Sequence, residues 1–229
     1  MKNESDFPLR QRKYARTKLA LLDAVLERLA KKPLEEITVR ELCADTEVSE
    51  ATFFNYFPTK TDLLVYYIQL WTIEVSWYVE HEVRQGSALK TIEAIFVYTA
   101  MKSEQQPAIM GEIIAYQARM SAPPTLGDVT PVERIMAFPD CVGVESLPAR
   151  GLTSILPGLI EKTVQEGELP RDTDGAMVLA ALTSIFFGVP IVQRSLENYS
   201  TKDLYIAQLR TLWAGLKSRN QNKGGINNE

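Results

Sequence analysis

Residues 38–60 read TVRELCADTEVSEATFFNYFPTK, and this stretch decides how the rest of the chain is read. Thr38 followed three residues later by Glu41 is a capping-box signature, which opens a short helix over residues 39–45. Ser49 caps a second helix that runs to about residue 57, where Pro58 stops it. Two short helices separated by about four residues, with Val39, Leu42, Val48, Phe53 and Phe57 as the apolar positions, fit a helix-turn-helix. At 100° per residue Phe53 and Phe57 define the buried face of the second helix, together with Val48 from the turn. Ala51 and Asn55 then point the opposite way, with Thr52 to one side. A short helix whose outer face is small and polar can lie against base edges. There Asn pairs with adenine in bidentate fashion, and Ala or Thr methyls meet the thymine methyl.

Residues suited to phosphate surround that face. Thr38, Ser49 and Tyr56 carry hydroxyls, Lys60 stands at the start of the next helix, and Arg16 lies on the preceding one. The order I-T-V-R-E-L at 37–42, V-S-E-A-T-F-F-N-Y-F-P-T-K at 48–60 and D-L-L at 62–64 resembles the TetR/AcrR family of one-component transcriptional regulators. The close likeness covers about residues 19–64, with a weaker echo at Glu166-Gly167-Glu168-Leu169. The resemblance implies that Thr38, Ser49, Thr52, Tyr56 and Lys60 contact the DNA backbone and that Ala51 and Asn55 read bases. Two positions depart from the family's pattern. Glu47 stands where the turn commonly has Gly, at a cost on the order of 1 kcal/mol if its backbone is left-handed. Phe54, still counted within the DNA-binding surface, stands where a phosphate-contacting Tyr is frequent.

Outward from this segment the chain reads as all-α. Toward the N-terminus, Leu19, Leu22, Leu26 and Leu29 form one stripe of a helix over residues 14–30, with Arg16, Lys18, Asp23, Glu27 and Arg28 on its other faces. Lys31-Lys32-Pro33 ends it. The basic arm before it (residues 1–12) is expected to be flexible. Toward the C-terminus, Thr59 with Asp62 starts a long helix carrying Leu63, Leu64, Tyr67, Leu70, Trp71, Val75 and Tyr78. Further helices are expected over 89–101, 108–120, 152–165, 173–194 and 201–216. Residues 121–151, rich in Pro and Gly, are read as a long loop with one short helix opened by Thr130-Pro131-Val132-Glu133. The expected organisation is a three-helix helix-turn-helix head (1–58), a larger helical effector and dimerisation domain (59–217) and a disordered tail (218–229).

Composition narrows the function. The chain has 229 residues, ample for a packed core, and a net charge of −4, so any basic surface is local. Its two cysteines, Cys43 and Cys141, form neither a disulfide framework nor a zinc knuckle, which makes a reducing cytoplasm the default. Its one histidine, His81, leaves His-dependent triads and metal sites without parts. Phosphate-loop, dinucleotide and nucleophile-elbow motifs are lacking, so the reading is of a protein that is not an enzyme and carries no cofactor and no metal.

Residues 175–193, GAMVLAALTSIFFGVPIVQ, carry no charge and are long enough for a membrane span. They lack an aromatic belt, and the resemblance instead implies that this helix and the next (173–194 and 201–216) pair with those of a second copy in a four-helix bundle. The family usually houses an effector between its long fourth helix and those following. By that resemblance Trp71, Tyr98, Met110, Tyr116 and Gln117 line the site, and their character suits an apolar or aromatic effector. The expected function is a repressor released from a near-palindromic operator by such an effector. A DNA-binding protein of the same fold without a small-molecule ligand, or an all-helical interaction adaptor, are the alternatives.

Overall fold

A computed structural model describes residues 3–83, 86–120, 126–147, 152–196 and 198–223, and the described residues are helical or loop, with no strand. Among the described residues ten α-helices follow one another: α1 (Leu9–Leu29), α2 (Val39–Thr46), α3 (Glu50–Tyr56), α4 (Asp62–Glu82), α5 (Ala88–Gln105), α6 (Pro107–Arg119), α7 (Pro131–Ala137), α8 (Leu152–Gln165), α9 (Gly175–Gln193) and α10 (Thr201–Lys223). The all-α expectation holds. The chain divides into two compact units, one formed by Met1–Tyr78 with Gln106–Gly151 and the other by Val79–Gln105 with Leu152–Glu229. Packing thus groups the helix-turn-helix with most of α4 and with α6 and α7, whereas the functional division placed a boundary at residue 58.

In the first unit α1 packs against α2, α6 and α7, and α2 against α3. Its core contains Leu21, Val25, Ile37, Leu42, Phe53, Phe57, Leu63 and Tyr66, each fully shielded from solvent. The buried stripe of α1 is rotated from the expected one. Leu21, Leu22, Val25 and Leu29 are buried, while Leu19 and Leu26 are only half-buried. The rotation has a cause. Lys18, expected on an outer face, is 4% exposed and pairs with the equally buried Glu133 of α7 at 2.6 Å. An ammonium out of water needs a partner carboxylate, and α7 supplies it. The arm is also more ordered than expected. Glu4–Asp6 form a 3-10 turn that packs on α7, and residues 9–12 are the first turn of α1.

The proline-rich segment contains the short helix its sequence announced. Thr130 accepts from the Glu133 amide, Glu133 reaches back to the Thr130 amide, and Pro131 takes the first position. The guanidinium of Arg134, also buried, donates to the carbonyls of Val129 and Leu147 and so closes residues 129–147 on themselves. Residues 121–125 and 148–151 of the expected loop lie outside the described residues.

In the second unit α5, α8, α9 and α10 form a bundle around Phe96, Phe186 and Tyr205. The ring of Phe96 meets those of Phe186 and Tyr205 edge-on, at centroid distances of 5.7 and 5.1 Å. The Tyr205 hydroxyl donates to the Phe186 carbonyl, which satisfies it inside the core. The Glu166–Leu169 echo is structural. Gly167 takes φ +74 to end α8, and the Glu168 carboxylate accepts from the Leu89 amide at the start of α5. α10 runs to Lys223, so the first part of the segment expected to be disordered, 218–223, is helical, and 224–229 lie outside the described residues. α9 is long and apolar enough to cross a membrane, with mean hydropathy 2.1, yet only 22% of that stretch is buried inside the chain.

Candidate nucleic-acid interface

The helix-turn-helix is held by its caps and by a charged tie to α1. Thr38 caps α2, with the full capping box to Glu41. Arg28 of α1 forks onto Asp45, with Nε and Nη2 at 2.6 and 2.9 Å, and its Nη1 reaches Glu41 at 2.9 Å. Lys32 also donates to Glu41, at 2.8 Å. The Lys32 ammonium, with the Thr38 amide and hydroxyl, holds the Glu41 carboxyl at about 2, well below the ordinary carboxylate value. The fork likewise lowers Asp45. α2 therefore sits at a fixed angle to α1 while it carries the turn that aims α3.

That turn contains the chain's one non-glycine residue with positive φ among those described. Glu47 adopts φ 55 and ψ 36, left-handed, at the C-terminal end of α2, where its amide donates to the Cys43 carbonyl. The expectation for this position is met, and the side chain carries the strain that Gly would avoid.

α3 is anchored by its buried side and open on the other. Phe53 and Phe57 are fully buried, and their rings lie 6.0 Å apart. Glu50, Ala51, Phe54 and Asn55 are exposed, whereas Thr52 and Tyr56 are half-buried. Ser49 accepts from the Thr52 amide, and the Ser49 and Thr52 hydroxyls share a 2.9 Å bond, so both hydroxyls face the same side of the helix start. Tyr56 packs against Tyr14 of α1, rings edge-on with centroids 4.5 Å apart. Burial, with the nearby Glu133 carboxylate and Tyr56, raises the Tyr14 hydroxyl above its ordinary value.

The predicted residues therefore divide. Ala51, Phe54, Asn55, Ser49, Thr52 and Tyr56 gather on or beside α3, and Thr38 starts α2. Arg16 is exposed on α1 and pairs with Glu4 at 2.8 Å. Lys60 is engaged within the head: its ammonium donates to the carbonyls of Leu34, Glu35 and Ile37, which uses all three of its protons. A phosphate at Lys60 has to displace one of these carbonyls. Three residues outside the predicted set belong to this surface or its support. Tyr14 is 39% exposed beside Tyr56, Arg40 is exposed in the first turn of α2, and Lys18 lies under the ring of Tyr66 at 4.1 Å. Tyr14 sits among the basic residues of the arm and Arg40 beside the cap. Both were visible in the sequence as a ring and a cation next to the motif.

Of the expected effector-lining residues, Trp71 lies on α4 and Met110, Tyr116 and Gln117 on α6, all in the first unit. Met110 is buried and the other three half-buried. Tyr98 lies on α5, in the second unit, and is also half-buried. No group of His, Cys, Asp and Glu suited to a metal ion occurs among the described residues.

A capped two-helix motif packed on α1, presenting an exposed face beside hydroxyls and cations, has the form of a helix-turn-helix DNA-binding head. Residues 21–67 match the sequence model of the family described as bacterial regulatory proteins, tetR family, which fits the helix-turn-helix as the DNA-binding part of a transcription regulator. No curated protein sequence matches the chain. Solved structures share its fold at low identity. FadR from Bacillus subtilis, in complex with stearoyl-CoA, is 15% identical with a TM-score of 0.60, over 86% of this chain and 98% of that one. FadR from Thermus thermophilus, a TetR-family transcriptional repressor in complex with lauroyl-CoA, is 17% identical with a TM-score of 0.59, over 85% and 92%. GusR from Salmonella enterica is 17% identical with a TM-score of 0.58, over 89% and 96%.

Proposed function

We propose that the chain is a cytoplasmic repressor that binds a near-palindromic operator as a homodimer and is released by an apolar effector. The observation that carries the DNA half is the α3 face. Ala51 and Asn55 stand exposed one turn apart on a helix whose opposite side, Phe53 and Phe57, is fully buried. Asn55 reads an adenine edge, and Ala51 packs on a neighbouring base. Thr38, Ser49, Thr52, Tyr56, Arg16 and Lys60 face the backbone, the last after leaving one carbonyl. Two such helices enter successive major grooves about 34 Å apart.

The exposed faces of α9 and α10 support the dimer. Ala176, Ala180, Thr183 and Ile191 share an exposed face of α9, and Ala207, Thr211, Ala214 and Ser218 one of α10. Their hydroxyls are already satisfied: Thr183 donates to Leu179, Thr211 to Ala207 and Ser218 to Gly215. A small-residue face without open donors dehydrates at little cost and lets helices approach closely. Lys202, Asp203 and Arg210 stay exposed on α10, which suits a second subunit and not a lipid phase.

For the effector, Trp71, Met110, Tyr116 and Gln117 of the first unit are the proposed contacts. Two structural neighbours hold long-chain acyl-CoA thioesters, whose acyl chains are apolar, so these are the first ligands to try. Differential affinity for DNA-competent and DNA-incompetent states couples the sites, so operator must weaken effector binding by the same factor. Anisotropy of a labelled operator duplex, titrated with protein and then with stearoyl-CoA and lauroyl-CoA, tests the reading. Tight binding by a dimer and release by either thioester support it. Tight binding unaffected by a broad set of apolar ligands removes the effector half and leaves a ligand-free regulator.

A further inference from the structure

A buried ammonium stands where the elements of the head meet. Lys18 of α1 is 4% exposed, and its ammonium pairs with the fully shielded Glu133 of α7 at 2.6 Å. The same ammonium lies 4.1 Å from the ring centre of Tyr66 on α4 and 5.6 Å from that of Phe57, the residue that ends α3. Those two rings meet each other at 5.6 Å. Phe57 in turn meets Phe53, on the buried side of the recognition helix, at 6.0 Å. α3 therefore reaches α4 through a row of rings, and Lys18 sets a charge against two of them.

Glu133 is not free to follow a moving head. Its second oxygen accepts from the amide and hydroxyl of Thr130, at 2.7 and 2.5 Å, which ties it to the start of α7. The segment carrying α7 is tied to α4 as well. The Gln69 side-chain amide donates to the Gly127 carbonyl at 3.4 Å, and the Trp77 ring N–H donates to the Val142 carbonyl at 2.8 Å. Through Glu133 the place of Lys18, and so of α1, is referred to α4. A buried ion pair adds little stability over apolar side chains of the same volume; what it adds is direction, because each charge is satisfied at one place only. We propose that Lys18 and Glu133 are positioning residues for DNA binding, which hold Phe57 against Tyr66 and so fix the angle at which α3 is presented. Both act from the interior, without a contact to DNA. This rests on the reading of the head as sequence-specific for DNA.

The test uses the full-length dimer and an operator enriched from a random duplex pool, with sister duplexes whose half-sites stand one base pair closer or farther apart. Lys18→Met with Glu133→Gln removes both charges together, so net charge and long-range attraction to DNA stay as they were. The double variant should bind the operator at least about fivefold more weakly per half-site, the low end of one lost base contact. It should also discriminate less between the three spacings, because its heads no longer hold one angle. Native affinity, or a loss equal at all three spacings, in a folded double variant overturns the inference and leaves the pair a matter of stability alone. Glu133→Asp keeps the charge and draws it back by one methylene, and it is read in the same way if the double variant does not fold. An unchanged spacing preference there overturns the inference in turn. A pool that enriches no duplex overturns the underlying reading instead.

Discussion

Lys18→Met isolates the buried charge that fastens α1 to α7. In the native chain one carboxylate oxygen of Glu133 pairs with Lys18 at 2.6 Å, and the other accepts from the amide and hydroxyl of Thr130 at 2.7 and 2.5 Å. Removal of the ammonium leaves the first oxygen fully shielded from water and without a cation. Loss of one partner of a buried pair costs about 3–5 kcal/mol. Urea unfolding of both proteins at neutral pH reads the loss directly. Lys18→Met with Glu133→Gln should recover most of the loss, because Gln keeps the capping acceptor without the charge. A Lys18→Met cost below about 1 kcal/mol would refute the assignment of a desolvated ion pair.

The remaining predictions concern the head. Glu47→Gly should raise the thermal midpoint, since Gly takes φ 55 freely and relieves about 1 kcal/mol; an unchanged or lower midpoint contradicts strain there. Glu41, held at about 2, contributes stability that is complete above about pH 4.5 and fades as pH falls toward 2. Acid titrations of wild type and Glu41→Gln should therefore differ at neutral pH and converge near pH 2. Asn55→Ala should relax base preference at one position per half-site by about 1–3 kcal/mol, and an unaltered sequence ranking in a competition assay would place the reading face elsewhere. Lys60→Met should lower the stability of the head, because three carbonyls lose a charged donor. It should flatten the salt dependence of DNA binding by about one unit only if Lys60 also reaches a phosphate.

What the sequence showed depended on how local each feature is. Capping boxes at Thr38 and Thr130, the Ser49 cap and the stop at Pro58 are written within four residues, and the structure has each of them. The left-handed Glu47 was legible only through the resemblance, which implies Gly at that position of the turn. Lys18 was not, because its partner Glu133 is 115 positions away and a lysine on a helix is ordinarily a solvated one. The same pair explains the misplaced stripe of α1, which turned by one residue once Lys18 went inward. Lys60 shows the opposite limit. Its place in the motif was plain, but its acceptors belong to a turn some two dozen residues earlier, which no local pattern announces. The frayed reading of residues 218–229 came from composition alone, and helical propagation from α10 carried 218–223 with it.

Selection of a random duplex pool by the purified dimer at moderate salt tests the central claim most directly. The account predicts enrichment of an inverted repeat with half-sites about one helical turn apart, each with adenine and thymine at its core. A pool that stays random while the protein remains folded and dimeric would contradict it.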